Sequence, residues 1–274
     1  VTLALMTQYQ QSPSPRLKTL IRTLKQGFYS PRTDQGDCAC YLDPPPNLNE
    51  GASGINGYLE TVLGHGPAIR ALSQWYRVNG EAQDRELAGR LSKFLTQSRF
   101  WEPELEPKFF VGAEHAHFKG HVHAYTQGLL GLLWYAEVAN DARLKEFVRE
   151  GYEYVRNLGI ARIGLVGEGC TVGDMTVLAV KLSDMGVADY WEHVDQYVRN
   201  HLTELQIRDL DLLKAAIEKM PPLDPSDPQV QTTDRVAERN LGAFFDDASH
   251  PTLVAGPNFM WVSCGNGNIP IGIY

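Results

Sequence analysis

The chain has 274 residues, 43% of them hydrophobic and 21% charged, the proportions of an ordinary globular protein with room for one large domain or two modest ones. A net charge of -8 and the lack of any basic stripe exclude phosphate-backbone recognition, so nucleic acid is not an expected partner. No apolar run reaches the roughly 18 to 20 residues that span a bilayer, so no membrane partner is expected; the opening VTLALMTQYQQ lacks the basic start and cleavage site of a signal peptide, which makes the cytoplasm the default location.

A first helix is expected over about Arg16 to Gln26. The segment from Ser30 to Asn56, rich in Gly, Pro and Asp, reads as a long connection. It contains Cys38-Ala39-Cys40, two thiols that point the same way in an extended chain and either clamp a metal or are merely structural. Together with Cys170 and Cys264 they are too few for a disulfide scaffold at this length.

The middle of the chain reads as paired helices. Leu63, Ile69, Leu72, Trp75, Tyr76 and Val78 fall near helical spacing, Asn79-Gly80 breaks the pattern, and Leu87, Leu91, Phe94 and Leu95 resume it. After a second connection, Phe100 to Lys119, the pair recurs. Val122, Tyr125, Leu129, Leu132, Leu133 and Ala136 form one stripe, Asn140-Asp141 interrupts, and Leu144, Phe147, Val148, Tyr152 and Val155 form the other. Superposing the two hairpins sets Val78 on Val138, Ala82 on Ala142, Glu86 on Glu146 and Leu87 on Phe147. A third pair spans Val177 to Leu182 and Tyr190 to Leu202 with a break at Gly186, and a further helix is expected over Ile207 to Met220. Strands have little support beyond Ile160 to Val166.

Repeated hairpins of this kind build a solenoid or a closed ring. The expected fold is therefore all-α, an (α/α) toroid of helical hairpins resembling an (α/α)6 barrel, in a single domain over residues 1–274. About eight helices are readable by period, fewer than such a ring needs, so the ring is incomplete or the sequence belongs to a longer protein.

Three clusters can carry chemistry. The stretch Glu114 to His123 holds His115, His117, His121 and His123, half of the eight histidines, at the entrance of a helix. Such density suits zinc binding, proton transfer or hydrogen bonding to a polyhydroxylated ligand, and an early helix start would put His117 and His121 on one face. Tyr125, Trp101, Phe109 and Phe110 lie near in sequence and can stack on a sugar ring, although such aromatics are more often core.

The second cluster is Glu168-Gly169-Cys170-Thr171-Val172-Gly173-Asp174. Thr171 can cap a helix with Asp174 answering it, placing Cys170 just before the helix, where the dipole favours a thiolate. Alone, an E-x-C reads more simply as a surface carboxylate beside a buried thiol. The third cluster, Ser263-Cys264-Gly265-Asn266-Gly267, can turn sharply and present Cys264 to a cavity, or be a plain surface turn. Glutamate and thiolates are ligands that zinc favours, so Glu168, Cys170 and Cys264 make a candidate metal set.

Gly120-His121-Val122-His123-Ala124 before a helical pair, Glu168-Gly169-Cys170 opening a helix, and then Ser263-Cys264 together resemble the catalytic domain of the bacterial beta-L-arabinofuranosidases, glycoside hydrolase family 127. The resemblance covers about Asn56 to Asn268. It implies an (α/α)6 barrel with zinc held by Glu168, Cys170 and Cys264, and a sugar-contacting role for His121. The family has two adjacent cysteines, the first of them its proposed nucleophile, where this chain has Ser263-Cys264. Either Ser263 takes that role, or Cys264 serves twice, or the correspondence slips by one.

The family's general acid precedes the E-x-C, and the nearest carboxylates here are Glu150 and Glu153, with Asp174 or one of the clustered histidines as substitutes. The expected function is carbohydrate-active, a glycoside hydrolase with a zinc–cysteine site acting on an oligosaccharide or glycoside. His115, His117, His121, His123 and Tyr125 would bind substrate, and Cys264 or Ser263 would attack. The alternatives are a metal-independent epimerase or polysaccharide lyase on the same fold, with the histidines and Tyr125 moving a proton alpha to a carbonyl, and a non-catalytic sugar-binding relative.

Overall fold

A computed structural model describes residues 2–30, 32–41, 55–102, 112–166, 169–219, 235–239 and 241–244. The chain is mostly helical, as expected, and divides into two compact units, 1–154 with 184–188 and 155–183 with 189–274. Among the described residues no helix is long and apolar enough to cross a membrane.

The first unit opens with α1 (Thr2–Gln11) and α2 (Pro15–Tyr29). Pro15 sits in the first turn of α2, where its missing N–H costs nothing, and Ser14 caps it by accepting from the Leu17 N–H at 3.2 Å. The two helices close on α3 (Ile55–Asn79) through Met6, Ile21, Ala71 and Trp75, with Leu3, Tyr9, Phe28 and Val78 packed around them. Between α2 and α3 a short hairpin pairs β1 (Thr33–Gln35) with β2 (Cys38–Cys40), Thr33 opposite Cys40 and Gln35 opposite Cys38. Gly36 turns it at φ +60°, and Arg90 of α4 (Ala82–Leu95) donates to the carbonyls of Gly36 and Cys38. This hairpin lies where a long connection is expected from sequence.

The break at Asn79-Gly80 is real. Gly80 adopts φ +73°, and the Asn79 side chain accepts from the Glu81 N–H at 2.7 Å. A buried charge cluster then ties α2 to the start of α4. Lys25 Nζ lies 2.7 Å from Asp84 Oδ2 and 2.5 Å from Glu81 Oε2, and Tyr29 donates to Asp84 Oδ1. Arg22 adds a bond to Glu81 at 2.7 Å from the outside.

After the one-turn α5 (Ser98–Trp101) come α6 (Val122–Ala139) and α7 (Ala142–Leu158). Every residue of α6 from His123 to Trp134 is buried, which makes it the central helix of this unit. It approaches α3 at backbone distance: a Cβ on Gly66 would stand 2.2 Å from the Gln127 carbonyl oxygen, and one on Gly131 2.4 Å from that of Gly66. Asn140 ends α6 in the left-handed conformation at φ 54°, and Asp141 Oδ1 caps α7 by accepting from the Leu144 N–H at 2.9 Å.

In the second unit, Ile160 bridges Leu165 around a 3-10 turn, Ala161–Ile163, so the run expected as a strand is a tight loop, closed by Gly164 at φ +71°. α8 (Gly169–Asp184) follows, then α9 (Trp191–Tyr197) passing into a π-helical stretch, Val198–Leu202, and one more turn, α10 (Thr203–Leu205). Ser183 Oγ accepts from the Tyr190 N–H and joins α8 to α9. α11 (Leu210–Glu218) and α12 (Val236–Arg239) pack around Ile207, Leu213 and Ala237.

Candidate functional site

His115, His117 and His121 lie on a loop, and of the four histidines His123 alone stands in the first turn of a helix. Gly120 has φ +119°, outside the helical region, and α6 begins only at Val122. His117 and His121 therefore do not share a helical face. The loop is pinned at several points: the Ala113 N–H donates to the Thr96 carbonyl at 2.7 Å, and Glu102 Oε1 accepts from the N–H groups of Glu114 and His115, the latter at 2.8 Å. Tyr154 of α7 donates to the Phe118 carbonyl at 2.8 Å.

These anchors divide the predicted ligand-binding residues into two sets. His115 and His117 are exposed, with ring centroids 5.8 Å apart; His117 stacks on Tyr154 at 4.6 Å, and His115 Nδ1 lies 3.2 Å from Glu150 Oε2. His121 precedes α6 and is exposed. His123 and Tyr125 are buried, at 3% and 4% exposure. Tyr125 stacks face to face on Phe118 at 4.1 Å and edge-on to Trp101 at 5.2 Å, so it belongs to the aromatic core instead of an open sugar platform. Trp101, whose indole N–H donates to the Leu95 carbonyl, is core as well.

Beside this loop the first unit has a cleft of about 500 Å³ whose walls include Thr96, Glu114, Asp141, Arg143, Glu146 and Glu150. Arg149 binds Glu146 and Asp141 caps α7, so two of the carboxylates are committed to structure. Glu150 instead faces the His115 imidazole. The partnership of Glu102 and Glu150 with this loop is what reading the sequence missed, since both come from other elements and no local spacing signals them.

In the second unit Cys170 is 1% exposed and stands in the first turn of α8, in no disulfide among the described residues. The helix starts at Gly169, two residues before the expected cap, and Thr171 and Asp174 are buried inside it. Glu168, Ser263, Cys264, Phe109 and Phe110 lie outside the described residues. Among the described residues no group of three His, Cys, Asp or Glu side chains stands close enough to hold a metal.

Cys38 and Cys40 are buried on β2, and burial, with the adjoining Asp37, pushes the Cys38 thiol up.

Searches against known protein families, curated proteins and solved structures find no match.

Proposed function

We propose that the chain is a carbohydrate-active enzyme, a glycoside hydrolase built as an (α/α) toroid of helical hairpins. What supports this most is the pairing of exposed imidazoles with a carboxylate-lined cleft in the first unit. Glycoside hydrolysis needs carboxyl groups and hydroxyl-binding donors around a concave surface, and His115, His117, Glu114 and Glu150 are of those types. The same carboxylates repel an anionic polymer. They therefore favour a neutral glycoside over the uronate substrates that a polysaccharide lyase takes.

The metal part of the reading rests on Cys170. Cys170 stands in the first turn of α8, at the positive end of the helix dipole, and a cysteine thiolate is a ligand that zinc favours. Glu168 and Cys264 complete the proposed ligand set. Zinc there would keep a cysteine ionised for attack at an anomeric carbon, with Cys264 or Ser263 as the attacking group.

Elemental analysis of the purified protein, with a panel of pentofuranosides, hexosides and uronides assayed with and without chelator, tests both parts. We expect about one zinc per chain, lost in Cys170→Ser, and chelator-sensitive turnover of a neutral glycoside. A protein without metal that turns over no glycoside would end the proposal.

A further inference from the structure

We propose that His115 and Glu150 form a proton-accepting dyad at the rim of the cleft, with Glu150 fixing the ring through Nδ1 and Nε2 taking a proton from an O–H group of a hydroxylated ligand or its water. The inference deepens the functional reading above and rests on it for the class of ligand.

A carboxylate only accepts, so the 3.2 Å contact from Glu150 Oε2 to Nδ1 requires the proton on Nδ1. A neutral imidazole has one N–H; once the carboxylate claims it, the lone pair stands on Nε2. The ring is held well enough for this to matter. Glu102 fixes its backbone N–H, His117 leans on Tyr154 next to it, and Tyr154 bonds the same loop at Phe118. The His115 side chain is 58% exposed, while Glu150 is 31% exposed and lines the cleft together with Glu114. Among the described residues the cleft walls also carry Arg143 and Glu146, the latter paired with Arg149, and Asp141, engaged as a helix cap; Glu102 accepts from the loop backbone.

In the step itself the O–H bond breaks, an Nε2–H bond forms, and the electron pair stays on oxygen. Glu150 keeps accepting from Nδ1–H and stabilises the imidazolium without taking its proton, and the reverse transfer restores the neutral ring. Glu150 is thus a positioning residue.

Nitrogen-15 imidazole spectra of the full chain, recorded at alkaline pH where the rings are neutral, read the tautomer directly. We expect His115 mostly as the Nδ1–H form, with the ratio of the two tautomers falling about tenfold in Glu150→Ala and restored in Glu150→Gln, whose amide oxygen still accepts. A predominantly Nε2–H ring in the wild type, or an unchanged ratio in Glu150→Ala, would overturn the dyad. Carbethoxylation of the wild-type protein by diethyl pyrocarbonate needs no variant: the adduct on His115 should map to Nε2, and one on Nδ1 would refute the assignment. Neither readout depends on metal or turnover, so a negative result here is distinct from the failure of the hydrolase reading.

Discussion

Two ionic clusters in the first unit use similar side chains to opposite ends. Around Lys25 and Asp84, at 1% and 0% exposure, a buried cation meets a buried carboxylate, and the half-buried Glu81 and Tyr29 complete their bonding. Around His115 and Glu150 the imidazole is exposed and the carboxylate half-buried, and one contact joins them. Burial with every valence filled makes the first a clamp between α2 and α4. Exposure with a valence left over makes the second a place for chemistry.

The sharpest way to break the comparison is to remove one partner from the buried cluster. Asp84→Ala takes from the buried Lys25 the more deeply buried of its two carboxylate partners and should lower the unfolding free energy by about 3 kcal/mol, read by urea denaturation. A loss below about 1 kcal/mol would mean that the cluster is no more structural than the exposed one.

Packing gives the next effect. Gly131→Ala puts a methyl group 2.4 Å from the Gly66 carbonyl oxygen and should cost about 1–3 kcal/mol in the same measurement.

The buried cluster also has a pH signature. Burial pushes the Glu81 carboxyl up, but hydrogen bonds from Lys25 and Arg22 outweigh it and hold it at about 2, below its ordinary 4.5. A carboxyl depressed on folding adds stability above its unfolded value, and that part is lost as pH falls from 4.5 towards 2. Asp84, which burial pushes up against the pull of Lys25 and Tyr29, runs the other way. Glu81→Gln should therefore flatten the acid limb of the stability curve, and an unchanged limb would assign it to other groups.

The smallest effect belongs to the His115–Glu150 pair. Glu150→Gln should change stability by less than about 0.5 kcal/mol, because its amide oxygen still accepts from the ring and a contact at the surface contributes little. A loss of several kcal/mol would move the dyad into the structural class with Lys25.

The helical hairpins were legible because their apolar stripes keep helical period and their breaks carry Asn-Gly and Asn-Asp, residues suited to left-handed and capping positions. The β-hairpin was not, since three-residue strands are too short for alternation to register. α1 escaped because Met6 is its one buried residue, and α3 begins earlier than its stripe because Gly-rich sequence around Asn56 looks like a loop. At the site, sequence found the imidazoles but not their setting. Density picked out His115 and His117, whereas Glu102 and Glu150 approach them from 13 and 35 residues away, and only folding reveals that distance closed. Tyr125 looked like a sugar platform because periodicity does not say which aromatic of a stripe faces inward.

The crossing of α3 and α6 through Gly66 and Gly131 sets main chain against main chain, with no side chain between to act as a cushion. Two rods in such contact cannot slide along each other without backbone atoms colliding. The entrance of α6 is thus a fixed datum, and any adjustment to an arriving ligand falls to the 112–121 loop, hung between Thr96, Glu102 and Tyr154 like a strap on three rivets.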